Sequence, residues 1–70
     1  MRIVIIDEKG LMKLPPTLNN REIIEKVKRR YGDDADFLID LVRLLAIHSD
    51  RIKTITVLLT DDREYTLAVE

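Results

Sequence analysis

The stretch DFLIDLVRLLAI, residues 36–47, constrains this chain more than any other. Nine of its twelve residues are apolar, in a chain of only 70. At 100° per residue, Asp36, Asp40 and Arg43 fall within an arc about 60° wide, and almost everything else around the helix is apolar. A helix lying on a sheet needs an apolar stripe only somewhat wider than about 100°. One contact face is therefore not enough. Such a helix must meet a sheet below it and a second element beside it.

The rest of the chain has little with which to build that shelter. Seventy residues make one domain, spanning 1–70, near the lower end of what folds alone. One core of this size rarely supplies more than about 3–5 kcal/mol of net stability. There is no cysteine, so no disulfide or thiolate–zinc site can add to it. The absence of thiols fits a reducing compartment, but the localisation is otherwise unmarked. MRIVII runs directly into an acidic turn, so no signal peptide is expected. No apolar run approaches the roughly 20 residues needed to span a bilayer, and no membrane partner is expected. A net charge of −1 exerts no bulk pull on nucleic acid or anionic lipid. The charge is nevertheless unevenly placed. Residues 19–32 carry five basic and two acidic side chains, and residues 33–50 carry one basic and five acidic. Two helices packed side by side with complementary rims account for this pattern.

RIVII (2–6) is β-branched and apolar and reads as a strand. DEKG (7–10) reads as a type I turn with Gly10 in the left-handed position, closing a three-residue hairpin loop. That loop pairs Ile6 with Met12 and Val4 with Leu14. It puts Val4, Ile6, Met12 and Leu14 on one face and Ile3, Ile5, Leu11 and Lys13 on the other. Pro15 and Pro16 end the second strand. Asn19 is the expected N-cap of a first helix, with Glu22 completing a capping box and Leu18 and Ile23 a hydrophobic staple. Glu22–Lys26 and Glu25–Arg29 are spaced as favourable i,i+4 pairs. Gly32 suits the position that stops the helix. Asp33 or Asp34 caps the second helix, which runs to about His48. KTITVLLT and EYTLAVE read as a second hairpin around DDR. A three-residue loop pairing Leu59 with Tyr65, Val57 with Leu67 and Ile55 with Val69 makes one face apolar, with Leu58 left on the wet face.

The order is therefore ββααββ. The expected fold is α+β: a four-stranded antiparallel sheet, strand order 2-1-4-3, with two antiparallel helices on one face. The first strand is apolar on both sides and hazardous as an edge; the second is short, carries Lys13 and ends in proline, which suits one.

Few residues carry a chemical signal. His48 is the only histidine, and HSD (48–50) cannot form a nucleophile, base and orienting group from sequence neighbours. Asp33, Asp34, Asp36 and Asp40 lack the spacing, glycine and late glutamate of a calcium loop. Asp61, Asp62 and Glu64 sit at a hairpin tip. Gly10 and Gly32 stand alone, so there is no glycine-rich phosphate loop. No catalytic, cofactor-binding or metal-binding residue is assigned, and no enzyme activity or small-molecule partner is expected. KVKRRY (26–31), with Lys26, Lys28, Arg29 and Arg30, is the one basic cluster. A winged-helix reader of DNA would put the start of its second helix into the major groove. Here that start reads DDADF, which repels phosphate, so nucleic acid is a remote alternative.

The first hairpin followed by a helix, residues 1–32, resembles the opening of the ubiquitin-like β-grasp. The capping box, staple, stop glycine and turn glycine, together with the absence of Cys and Trp, also make the chain similar to a de novo designed protein. That resemblance implies a stably folded scaffold without biochemical activity. The alternative is a small protein-interaction or homodimerisation module. Ile47 on the second helix, and Ile3, Ile5 and Leu58 on the sheet's far side, are the surfaces expected to support a weak homodimer.

Overall fold

The computed structural model describes residues 1–59 and 61–70. The fold is α+β. Strands β1 (Ile3–Asp7), β2 (Gly10–Leu14), β3 (Thr54–Leu58) and β4 (Glu64–Val69) form one antiparallel sheet in the expected order, β2-β1-β4-β3. Thr60, read from the sequence as part of the third strand, lies outside the described residues.

The helical region departs from expectation. Helix α1 (Arg21–Tyr31) passes into a 3-10 turn (Gly32–Asp34) and then into α2 (Ala35–Ile47). The chain is thus helical without a break from Arg21 to Ile47, not two helices joined by a loop. A straight helix over that span would be about 40 Å long, yet the molecule's longest dimension is 31 Å, so the run bends. The bend is at Gly32, whose φ of 55° belongs to the left-handed region. Its N–H still bonds the Lys28 carbonyl, and Asp33 and Asp34 continue the winding. Asn20, not Asn19, is the N-cap: its side chain accepts from the Glu22 N–H at 2.9 Å. On the surface of α1, Arg21 pairs with Glu25 at 3.4 Å, while neither expected pair forms among the described residues.

Both hairpins are antiparallel as expected, but each register is shifted. In the first, Asp7 pairs with Gly10 and Ile5 with Met12, which leaves a two-residue loop, Glu8–Lys9. The Asp7 carboxylate accepts from the Lys9 N–H at 2.7 Å, and Gly10 has φ 120°. A one-residue slip exchanges the faces of a strand relative to its neighbour. Ile3 and Ile5 therefore join Met12 and Leu14 on the helix side, and both isoleucines are fully buried. They are not part of a far-side apolar group. In the second hairpin, Val57 pairs with Tyr65 and Ile55 with Leu67, two residues away from the expected register. An even shift keeps the faces, so Ile55, Val57, Tyr65 and Leu67 still point toward the helices. The turn closes earlier than DDR, with Leu59 N–H on the Arg63 carbonyl at 2.9 Å and Asp62 at φ 62°.

The core lies between the sheet and the helical layer. Ile3, Ile5, Leu14, Tyr65 and Leu67 face Val27, Tyr31, Ala35, Leu38, Ile39, Val42 and Leu45, with Leu18 packed in from the connection. The inward arc of α2 is thus centred on Leu38, Val42 and Leu45. Leu41 is half-buried and Phe37 is 45% exposed, while Ile39, toward the polar arc of Asp36, Asp40 and Arg43, is buried.

Candidate interaction surface

The chemically suggestive residues of the sequence end in structural roles. His48 follows the last turn of α2, its N–H on the Leu44 carbonyl and its carbonyl accepting from Arg51 and Ile52. No group of three or more metal-ligating side chains occurs among the described residues, and no described helix is long and apolar enough to cross a membrane. Asp34 begins α2, but its carboxylate makes no cap bond to the helix backbone. It accepts instead from the Tyr65 hydroxyl at 2.9 Å and sits 3.5 Å from the Arg63 guanidinium. Arg63 also pairs with Asp61. Burial and the Asp34 carboxylate together hold the Tyr65 phenol above its ordinary pKa.

A second polar contact lies beside it. Asp7, on the helix face of β1, pairs with Arg30 of α1 at 3.2 Å, the carboxylate side chain being only 5% exposed. Burial acts to raise the Asp7 carboxyl, but the Arg30 guanidinium and the Lys9 amide outweigh it and hold it below the usual range. Arg30 is thereby withdrawn from the KVKRRY cluster, and its guanidinium stands 5.5 Å from the centre of the Tyr31 ring. Tyr31 meets Tyr65 edge-on, ring centres 5.7 Å apart. The Tyr31 hydroxyl is buried and has no hydrogen-bond partner among the described residues. Burial first, and the approach of the hydroxyl to the Asp7 carboxylate second, push its pKa well up. These groups border an open cleft of about 410 Å³ between the two hairpin tips and the end of α1. Its charged lining is mixed, and Asp7, Arg30 and Arg63 are already paired within the chain. The arrangement ties α1 to both hairpin tips.

The unsatisfied surface lies at the other side of the sheet. Strand β2 is a guarded edge: Lys13 reaches across β1 to Glu70 at 3.3 Å, and Pro15 and Pro16 follow at once. Strand β3, the opposite edge, has no such guard. Its five residues, Thr54-Ile-Thr-Val-Leu58, contain no charge and no proline. Lys53 O accepts from Val69 N–H, and Leu59 N–H bonds Arg63 O. Hydrogen-bonded pairs alternate along an antiparallel ladder, so the odd residues 53 to 59 point their backbone groups at β4. Thr54, Thr56 and Leu58 therefore direct N–H and C=O groups outward, away from the sheet.

An apolar helix flank adjoins this edge. Helix α2 packs mainly on β4, and also touches β1 and β3. Helix α1 packs on one flank of α2, where Ile39 is 5% exposed. On a helical wheel Phe37, Leu41 and Leu44 lie on the side of Leu38 and Leu45 away from Ile39; Phe37 and Leu44 are 45% and 44% exposed and Leu41 is half-buried. Ile55 and Val57 of β3 are half-buried. Sequence reasoning found the breadth of the α2 apolar arc but not its location beside a bare strand edge. The signal was available in the uncharged TITVL run, once β3 is known to be an edge. No protein-family model matches the chain, and neither a curated protein nor a solved structure does.

Proposed function

We propose that this domain is a protein-interaction module that binds by strand addition at β3, without catalytic activity of its own. One observation carries the reading: the sheet ends in an uncharged, unguarded five-residue strand, and the helix that touches it keeps Phe37 and Leu44 exposed. Edge strands normally carry a lysine, a proline or a bulge, because outward backbone groups template pairing with another chain. In strand addition, the main-chain bonds supply affinity and side chains beside the strand supply selectivity. The outward groups of Thr54, Thr56 and Leu58 suit the first role. Phe37, Leu41 and Leu44 suit the second, since apolar surface beside the strand is removed from water when a partner lies against it.

A synthetic peptide of residues 53–59, KTITVLL, tests the reading as a strand probe. On titration into the isotope-labelled domain, amide shifts should move at Thr54, Thr56 and Leu58 and along Phe37–Leu44. The residues of β2 should stay unmoved. No shift change on β3 at about 1 mM peptide, where even a millimolar affinity would half-fill the site, refutes the reading.

A further inference from the structure

The surface has a property that selects among partners: it is complementary to itself. Resting on the strand-addition reading above, we infer that the occupant of the β3 edge is a second copy of this chain. Two β3 strands pair antiparallel about a two-fold axis at Thr56, giving one continuous eight-stranded sheet.

Three features converge on this arrangement. The first is register. Outward backbone groups occur only at the even positions 54, 56 and 58, so pairs must join even to even. Centring the axis on Thr56 engages all three: Thr56 with Thr56, and Thr54 with Leu58 in both directions. The second is side-chain sorting. The same register sets Ile55 opposite Val57 of the second copy, on the helix side in both chains. The two helical layers then share one face, and the α2 helices, which touch β3 in each copy, flank the axis. The bare edge and the apolar flank are therefore covered by one event. The third is charge. Lys53 directly precedes β3, while Asp61 and Asp62 follow Leu59; Arg51 is already near Asp50, and Asp61 near Arg63. Antiparallel pairing brings the Lys53 end of each strand toward the Asp61–Asp62 end of the other. Parallel pairing would set like against like. Isologous two-fold contacts require such self-complementarity, and a strand from an arbitrary partner would not supply it.

The intact chain is tested by light scattering and residue-resolved hydrogen exchange across a concentration series. The mass should rise from one chain to two between about 1 and 100 μM, as a micromolar affinity requires. Amide exchange at Thr54, Thr56 and Leu58 should slow in step, with the β2 amides unaffected. Thr56→Pro removes an outward N–H that makes no bond to β4, and should hold the chain monomeric; Phe37→Lys, on the helix flank, should weaken dimerisation at least tenfold without disturbing the strand. Leu11→Lys, on the guarded edge, should leave the dimer intact. A chain still monomeric at about 100 μM overturns the inference; if it nonetheless captures the KTITVLL peptide, the strand-addition reading stands without it. A dimer abolished by Leu11→Lys but indifferent to both Phe37→Lys and Thr56→Pro also overturns it, because the contact would then lie elsewhere.

Discussion

Two tyrosines in edge-on contact should respond in opposite directions to the same substitution. Tyr31 and Tyr65 are both buried, at 4% and 3% exposure, and their ring centres are 5.7 Å apart. Tyr65 donates its hydroxyl to the Asp34 carboxylate at 2.9 Å. Tyr31 buries its hydroxyl with no partner among the described residues. Removing the Tyr65 hydroxyl sacrifices a hydrogen bond to a charged group, and Tyr65→Phe should destabilise the fold by about 1.5–3 kcal/mol. Asp34 is partly exposed and flanked by Arg63, which places the loss toward the lower end of that range. Removing the Tyr31 hydroxyl sacrifices no well-formed hydrogen bond, only its approach to the Asp7 carboxylate, and relieves the desolvation of a buried polar group. Tyr31→Phe should therefore stabilise by about 1 kcal/mol, at the lower end of the cost of such a group. Ring packing is kept in both variants. Urea unfolding followed by circular dichroism measures both, with the slope of stability against urea unchanged if only stability has moved. The alkaline limb adds a second readout. Because the folded-state pKa of Tyr31 is raised, the wild type should lose stability as pH rises above about 10, where the unfolded chain ionises first. Tyr31→Phe should flatten that decline. A Tyr31→Phe protein less stable than wild type by 1 kcal/mol or more would show that the hydroxyl is satisfied, and would refute the reasoning.

The remaining expectations concern core, bend and ion pair. Leu45, fully buried, should lose about 2–5 kcal/mol on substitution by alanine, comparable with all the stability of a domain this size; Leu41→Ala, at a half-buried site, should cost clearly less in the same urea titration. Gly32→Ala meets no atom within 4 Å but must adopt φ 55°, so it should destabilise by about 1 kcal/mol through backbone strain alone, read as a lowered unfolding midpoint. Arg30→Met should destabilise by about 1–3 kcal/mol at pH 7, because Asp7 is left sequestered without its cation. The difference should then narrow as pH falls. In wild type, the depressed Asp7 pKa means that its contribution is present above about pH 4 and is lost as pH falls through the folded value. In Arg30→Met the strongest group opposing burial is gone and the Lys9 amide remains, so the Asp7 carboxyl rises relative to wild type and acidification toward about pH 4 should cost the variant less stability than wild type. Parallel pH–stability curves for the two proteins would contradict this account.

Local chemistry decided the kind and order of the elements. The β-branched RIVII run, the proline pair, Gly10, Gly32 and the broad apolar arc of residues 36–47 are each short-range signals, and they specify ββ, helix and ββ in turn. The edge role of β2 was equally legible, since Lys13 and Pro15–Pro16 suit no interior strand. What sequence alone left open was phase. Ile3, Val4, Ile5 and Ile6 are apolar on both faces of β1, so alternation there cannot choose between a two- and a three-residue loop. The choice falls to the packed structure, in which Ile3, Ile5 and Asp7 share the helix side and Asp7 reaches Arg30. In the second hairpin both candidate registers keep the same residues facing inward, and only the hydrogen bonds around the turn distinguish them. Gly32 marked a helix stop from its neighbours alone, but whether the chain leaves the helix or bends and winds on depends on what both helical segments pack against. The polar contacts were hidden for a related reason. Asp34 and Tyr65 are 31 residues apart and Asp7 and Arg30 are 23 apart, so no local pattern could link them. The unguarded edge is the clearest case. TITVL is an ordinary strand sequence anywhere in a sheet, and it becomes an exposed template only because the strand order places it last, where nothing among the described residues pairs with its outward backbone.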